Sequence, residues 1–570
     1  PLILHYNRHT PKTSISYMKD FISSITKEKT ENVNASTSTD LADSIDLLSS
    51  GIYTEEERFI FELIQNAVDA FEDEFGERLR IRIAIQNDYI VFMHNGAPFS
   101  KRDIKGLCSV GNGNKKDNVK KIGYKGIGFK SVFMHSQEVT ILSNGTVFRF
   151  DKNHWSNFKF NGKTEDEFGR KYRLPWQIIP IVSEEKPISI DTKGFNVITF
   201  IKSENIKSIG TKVERMLSNS NFLLFLGQNS ISIEYINNGN VLKTLNKEIT
   251  VSKKLGDHEQ ERQICLSKDD NIESKWLVYQ NDCVSISTEH KSLICTDSKI
   301  PEKLRISESF DISFAIQLGN NDSIKELSNT VLYTYLPTSY QFGLPFILNA
   351  NFITDAGRQQ INTDSIWNQM IASAFPAILF KWISTFSKVR EDYYKVMPVK
   401  RASTDPVSCS YNEALENAIN NIPFVPNKIG DKLLCSVECV YDQYKLFEAL
   451  NTDRFSSCIK QILGANFNLN NIVDFSASQL SEDYNVKFIS KTSILTLIEN
   501  SKKVLDALTL DEDIQLIRWI RRTDIFESND ASIFLSNQCI ILDNDGVLSK
   551  PSELFFPSKY KDENSMAADA

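Results

Sequence analysis

No apolar run in the 570-residue chain approaches the length of a membrane span, and its first residues lack a signal-peptide pattern. These absences place the expected compartment in the cytoplasm, with no membrane partner. Cysteine is sparse: the nine residues keep no pairing rhythm, and Cys435 and Cys439 have no second Cys or His pair at zinc-site spacing. His5, His9, His135, His154, His258 and His290 form no metal-spaced set either. The cysteines therefore read as reduced structural thiols. A basic surplus is also missing. Against 65 Lys and Arg stand 73 Asp and Glu, a net charge of −8, so charge does not indicate a nucleic-acid partner, a local patch aside. Internal repeats are absent as well. The chain opens on Pro1 without a methionine and stops at Ala570 soon after a structured-looking segment, so a fragment from the N-terminal part of a longer protein is expected.

What is present is length enough for roughly three or four cores, and one chemically dense stretch between Glu62 and Ser131. Phe59, Phe61, Leu63, Ile64, Ala67 and Val68 suit a largely buried helix. On that helix Glu62, Asn66 and Asp69 fall at i, i+4 and i+7, which sets two carboxylates and an amide on one stripe. A core helix rarely carries such a stripe unless something polar lies against it. Alternating residues over 79–85 and an apolar run over 89–93 predict two strands, the second running into His94-Asn95-Gly96-Ala97-Pro98-Phe99. Residues 101–121, rich in Lys, Gly and Asn, read as a lid over an anion; Lys115, Lys116, Lys120 and Lys121 are either phosphate contacts or a solvated charge run. Gly123, Gly126 and Gly128 then allow close backbone approach to a phosphate chain, and Lys125 and Lys130 inside that strip are phosphate candidates. A helix starting near Lys130 would add its positive end. A Walker A loop needs Gly-Lys-Ser/Thr contiguous, and Phe129 separates Gly128 from Lys130, so that alternative fails.

Further strands are expected at 138–142, 146–150 and 196–201, a helix at 206–217, and short alternating strands to about 336. A helix follows at 365–386, with Pro376 as a candidate kink, and mostly helices from 411 to about 530. Residues 28–45 carry little to bury and read as a loop or linker. A helix on a mixed, mostly antiparallel sheet defines an α+β layer. The expected layout is an N-terminal arm and linker (1–50), an α+β domain that holds the dense stretch (51–205), a strand-rich middle domain (206–395) and a mainly helical C-terminal region (396–570).

The stripe Glu62-x-x-x-Asn66-x-x-Asp69, the turn Asn95-Gly96 and the strip Gly123-x-x-Gly126-x-Gly128-x-Lys130-Ser131 arrive in one order within about seventy residues. This resembles the Bergerat-fold (GHKL) ATPases, the group of gyrase, histidine kinases, MutL and the heat-shock-protein-90 chaperones. Within it, Glu62–Ala67, His94–Phe99 and Gly123–Ser131 look most like the sacsin and NO VEIN branch. The resemblance implies a Bergerat sandwich followed by an α/β transducer, with ATP and magnesium (Mg2+) as cofactors. It implies Asn66 as the magnesium ligand and Glu62 as general base. Nucleotide contacts would come from Asn95, Gly96, Lys115, Gly123, Lys125, Gly126, Ile127, Gly128, Phe129, Lys130 and Ser131. Asp69 either touches ligand or braces the lid. Two positions depart from the family pattern: His94 stands where an aspartate usually reads the adenine amino group, leaving base choice between ATP and GTP open, and Phe195 replaces the usual strand threonine, with Thr199 nearby.

A second similarity covers residues 348–361, which look like the catalytic loop of the heat-shock chaperone's middle domain. By it Arg358 reaches the γ-phosphate; the plain alternative is a surface arginine starting the next helix. The implied function is an ATP-binding, slowly hydrolysing switch, chaperone-like, remodelling a protein partner or client, with an ATP-dependent homodimer through the arm at 1–27. Two alternatives stand beside it: an ATPase subunit of a nucleic-acid-directed defence or repair system, and a nucleotide-sensing scaffold with little hydrolysis.

Overall fold

The computed structural model describes residues 12–51, 58–71, 78–110, 128–355, 359–449, 469–473, 483–504 and 508–554. The chain divides into two compact units, Pro1–Ile371 and Ala372–Ala570.

In the first unit the low-apolar stretch expected as a linker is helical. Helix α1 (Lys12–Thr30) buries Ile22 and Ile25, and α2 (Ala35–Gly51) buries Ser38, Thr39, Ala42 and Ile45 on one face. The Oδ1 of Asn34 accepts the Thr37 N–H at 3.0 Å and caps α2. Its acids find partners far along the chain: Asp43 lies 2.8 Å from Arg173 and 3.0 Å from Arg170, and Asp46 also pairs with Arg173. Small buried residues and distant arginines, invisible to local composition, turn this linker into a strap.

Helix α3 (Arg58–Ala70) follows, then β1 (Leu79–Gln86), whose Leu79, Ile81, Ile83 and Ile85 point inward, and β2 (Tyr89–His94), buried throughout. Helix α4 (Lys101–Leu107) begins at a capping box in which Ser100 and Asp103 satisfy each other's backbone N–H groups. A 3-10 helix, Gly128–Met134, replaces the α-helix expected near Lys130. Next come β3 (Glu138–Ser143), β4 (Thr146–Asp151), β5 (Ile181–Ser183) and β6 (Val197–Lys202). After a helix at Ile206–Met216 the chain forms β7 (Ile231–Asn237), β8 (Asn240–Lys254), β9 (Glu259–Lys268) and β10 (Asn271–Ser285). The set closes with β11 (Ser309–Leu318), β12 (Val331–Thr334), β13 (Leu336–Gln341) and β14 (Ile347–Ala350).

These strands form one 14-stranded sheet, in the order β13-β12-β14-β11-β10-β9-β8-β7-β1-β2-β6-β3-β4-β5. Its pairs are antiparallel except β1 with β7 and β12 with β14. The architecture is therefore mixed α/β around a large, mostly antiparallel sheet. One apolar core joins Ile22 of α1, Ile64 of α3, Ile83 of β1, Val132 of the 3-10 helix and Ile264 of β9.

The second unit carries helices at Pro406–Asn421, Lys491–Glu499, Leu510–Arg522 and Asn529–Ser536, with a small parallel sheet in which Val440–Tyr441 lies between Ile472–Val473 and Lys487–Phe488. Val440, Ile489, Leu497 and Leu516 meet in its core. Pro376 sits inside the helix Ile366–Phe386 without ending it. Among the described residues no helix is long and apolar enough to cross a membrane, no cluster of His, Cys, Asp and Glu could hold a metal, and eight cysteines are free.

Candidate functional site

The apolar face of α3 decides where its polar row lies. Phe59, Ile60, Leu63, Ile64 and Ala67 are buried in the main core, the Phe59 ring stands 5.3 Å from His135 beyond the 3-10 helix, and Phe61 meets Phe222 edge-on at 5.2 Å. With the helix packed on both sides, Glu62 is 3 % exposed, while Asn66 and Asp69 are half-buried. The row thus opens from a buried carboxylate toward the C-terminal end of α3.

The turn after β2 docks at that end. The Ala97 N–H donates to the Ala70 carbonyl at 2.6 Å. A Cβ on Gly96 would stand 2.9 Å from His94 Nδ1 and 3.0 Å from the Ala70 carbonyl carbon, so close approach demands glycine here. Gly96→Ala is expected to push the turn off α3, costing about 1–3 kcal/mol in urea unfolding. An unchanged midpoint would show that the turn relaxes freely.

His94 is 6 % exposed, sits between Ile81 and Val197 in the sheet, and accepts the Gly96 N–H on Nδ1 at 3.2 Å. Burial pushes its pKa down to about 4, so the ring is neutral. With Nδ1 accepting, the proton resides on Nε2, which is a donor; a carboxylate in this place could only accept.

Asn95 is engaged by the backbone of β1 and the residues just before it. Its Oδ1 accepts the Arg80 N–H at 2.7 Å and its Nδ2 donates to the Arg78 carbonyl at 3.0 Å, so both ends of the amide extend the β1–β2 ladder. Asn196, just before β6, locks the same turn: its Nδ2 donates to the Asn95 and Gly96 carbonyls at 2.9 and 3.1 Å, and its N–H to the His94 carbonyl. Sequence reasoning placed Asn196 merely in a strand; a polar amide leading an otherwise apolar run was the available signal. Phe195 receives the Arg82 guanidinium at 5.0 Å over its ring, and Thr199 is buried in β6 between Phe92 and Ile141.

On the 3-10 helix, Phe129 is half-buried, with its ring 6.0 Å from that of Phe133, and Ser131 is buried. Lys130 is buried too. Its Nζ donates to the Leu107 carbonyl at the end of α4 and to the Gln177 carbonyl at 3.0 Å, and burial lowers its pKa to about 7. The amine ties the glycine strip's exit to α4 and to the 176–178 segment. Lys115, Gly123, Lys125, Gly126, Ile127 and Arg358 lie outside the described residues. The flanks of Arg358 are defined. Thr354 and Ile361 bridge antiparallel, and Asn368 accepts from and donates to the Ile353 backbone at 2.8 and 2.7 Å.

The structure therefore docks the His94–Ala97 turn at the C-terminal end of α3, one residue past Asp69, with Asn66 and Glu62 one and two turns back along the helix and Phe129, Lys130 and Ser131 on the neighbouring 3-10 helix. A family model described as the sacsin domain matches residues 82–247, from within β1 to within β8. The chain's homology extends to Protein NO VEIN of Arabidopsis thaliana, 28% identical over 358 residues (61% of this chain), and to human Sacsin, 25% identical over 388 residues (57% of this chain). A weaker similarity reaches the chaperone protein HtpG of Acinetobacter baylyi, 27% identical over 142 residues, 20% of this chain. The chain spans only 12%, 8% and 22% of those three proteins, respectively. This kinship is sacsin/NO VEIN-type and heat-shock-protein-90-like.

Proposed function

We propose that the chain is an ATP-binding, slowly hydrolysing switch whose nucleotide site lies at the open end of the α3 row. The observation that carries this reading is the buried Glu62 one helical turn before the half-buried Asn66, on a helix whose C-terminal end receives a turn that glycine alone can bring against it. Carboxylate and amide oxygens are the hard donors magnesium takes, so the residues present fit that ion. Asn66 would hold it. Bound magnesium supplies neutralisation of triphosphate charge. Glu62, held out of bulk water, orients the attacking water and accepts its proton at the carboxylate. Arg358 adds positive charge where negative charge develops. The glycine strip and Lys125 serve the phosphate chain, and ATP retention closes the lid segment.

Kinship with proteins named Sacsin and chaperone HtpG supports a protein client over nucleic acid, which the net charge of −8 does not favour. The scaffold reading with little hydrolysis draws on His94, whose Nε2 donor differs from a carboxylate acceptor. Asn66→Ala tests the site directly. Calorimetric titration with ATP should show magnesium-dependent affinity falling at least about tenfold, the worth of a lost charge-assisted contact. Equal affinities with and without magnesium in both proteins would remove Asn66 from the site.

A further inference from the structure

We propose that the groove between α2 and the C-terminal end of the 3-10 helix docks an extended, lysine- and arginine-bearing segment of a partner protein. The groove lies at the end of β2, β6 and β3 opposite the candidate nucleotide site. There Lys202 pairs with Tyr89 and Glu138, whereas His94 pairs with Val197 at the other end of the same strands. Its volume is about 990 Å³, room for a short run of side chains.

Charge argues for a cationic occupant. Asp43, Asp46, Asp88, Glu138 and Glu204 line the groove, against Lys152 and Lys202. Asp43 and Asp46 are engaged by Arg170 and Arg173, and Glu138 lies 3.6 Å from Lys202. Asp88 and Glu204 are exposed and have no basic partner among the described residues, so two carboxylates at the rim stay unneutralised.

A second observation selects a polypeptide. Trp176 and Gln177 also line the groove, 5 % and 2 % exposed, and the Trp176 Nε1 and Gln177 Oε1 atoms are buried without a hydrogen-bond partner. Such atoms carry a desolvation cost until something satisfies them. One needs an acceptor and the other a donor. A peptide backbone offers both at adjacent positions, while a polyamine has donors alone.

The wall of the groove leads back toward the glycine strip. Phe133 and His135 form part of it, on and just after the 3-10 helix that starts at Gly128, and the Gln177 carbonyl receives Lys130 from that helix. Docking and nucleotide state are therefore coupled through one short helix, a coupling that rests on the nucleotide reading above.

The test uses the full chain and a fluorescein-labelled ten-residue peptide of alternating lysine and alanine, titrated by anisotropy at about 0.15 M salt. Saturable binding is expected. Asp88→Asn with Glu204→Gln should weaken it at least about tenfold, and the control pair Glu326→Gln with Asp530→Asn should leave it unchanged. No saturation, an unaffected rim variant, or equal weakening by the control overturns the docking site. Displacement by spermidine as effectively as by unlabelled peptide overturns the polypeptide assignment. With magnesium and a non-hydrolysable ATP analogue bound, the peptide affinity should change at least about fivefold. An unchanged affinity overturns the coupling alone. Failure of the analogue to bind counts against the nucleotide reading and removes the coupling with it, while the rim-variant result stands.

Discussion

Phosphate release from ATP should fall by about 10²–10⁴-fold when Glu62 is replaced by alanine, with ATP binding retained. The range is what a positioned proton acceptor contributes to a rate. Glu62 suits that role because it is 3 % exposed on a helix whose other face is locked into the core, so its carboxylate has little freedom to wander. Alanine is at least as favourable to the helix, and the fold is expected to survive. Glu62→Gln separates shape from chemistry: it keeps the size and a hydrogen-bonding oxygen but cannot take a proton, and it should be as inactive as alanine. Turnover equal to wild type in both variants would end the catalytic assignment of Glu62.

Acid should weaken this protein through His94. In the unfolded chain the imidazole titrates near 6.5; in the fold, burial lowers its pKa to about 4. Between those values the unfolded state binds more protons, so stability falls as the pH drops through the window. The full shift corresponds to roughly 3 kcal/mol, present above pH 6.5 and lost below pH 4. His94→Gln keeps an oxygen to accept the Gly96 N–H yet does not titrate. Urea midpoints at pH 7, 5.5 and 4.5 should decline more steeply for wild type than for the variant, and parallel slopes would refute the assignment. Lys130 acts in the same sense at higher pH: its depressed pKa of about 7 makes stability rise as pH increases from there toward 10.5.

Much of the frame around the site was readable from periodicity. The row on α3, the run of β2 into its turn and the strands β3, β4 and β6 follow from apolar spacing alone, because each is short-range in sequence. What escaped depends on partners far along the chain. Helix α2 looked like a linker because the partners of its acids, Arg170 and Arg173, and the surface that receives its small buried residues come together only in the fold. Asn95 looked like a ligand contact, but its amide is taken up by the Arg78 and Arg80 backbone. Lys130 sits in a phosphate-like motif, yet its amine meets two main-chain carbonyls, one of them 47 residues away. A motif names residue types and spacing; which atoms are already spoken for is settled in three dimensions.

The parallel ladder between β1 and β7 has a mechanical consequence. Seven residue pairs, Leu79 with Ile231 through Ile85 with Asn237, stitch the expected nucleotide region to the strands of the expected transducer. A swinging hinge at that seam would have to tear main-chain bonds. Motion between the two regions is instead expected as torsion: a plank of hydrogen-bonded strands can wind or unwind along its length while every rung stays closed.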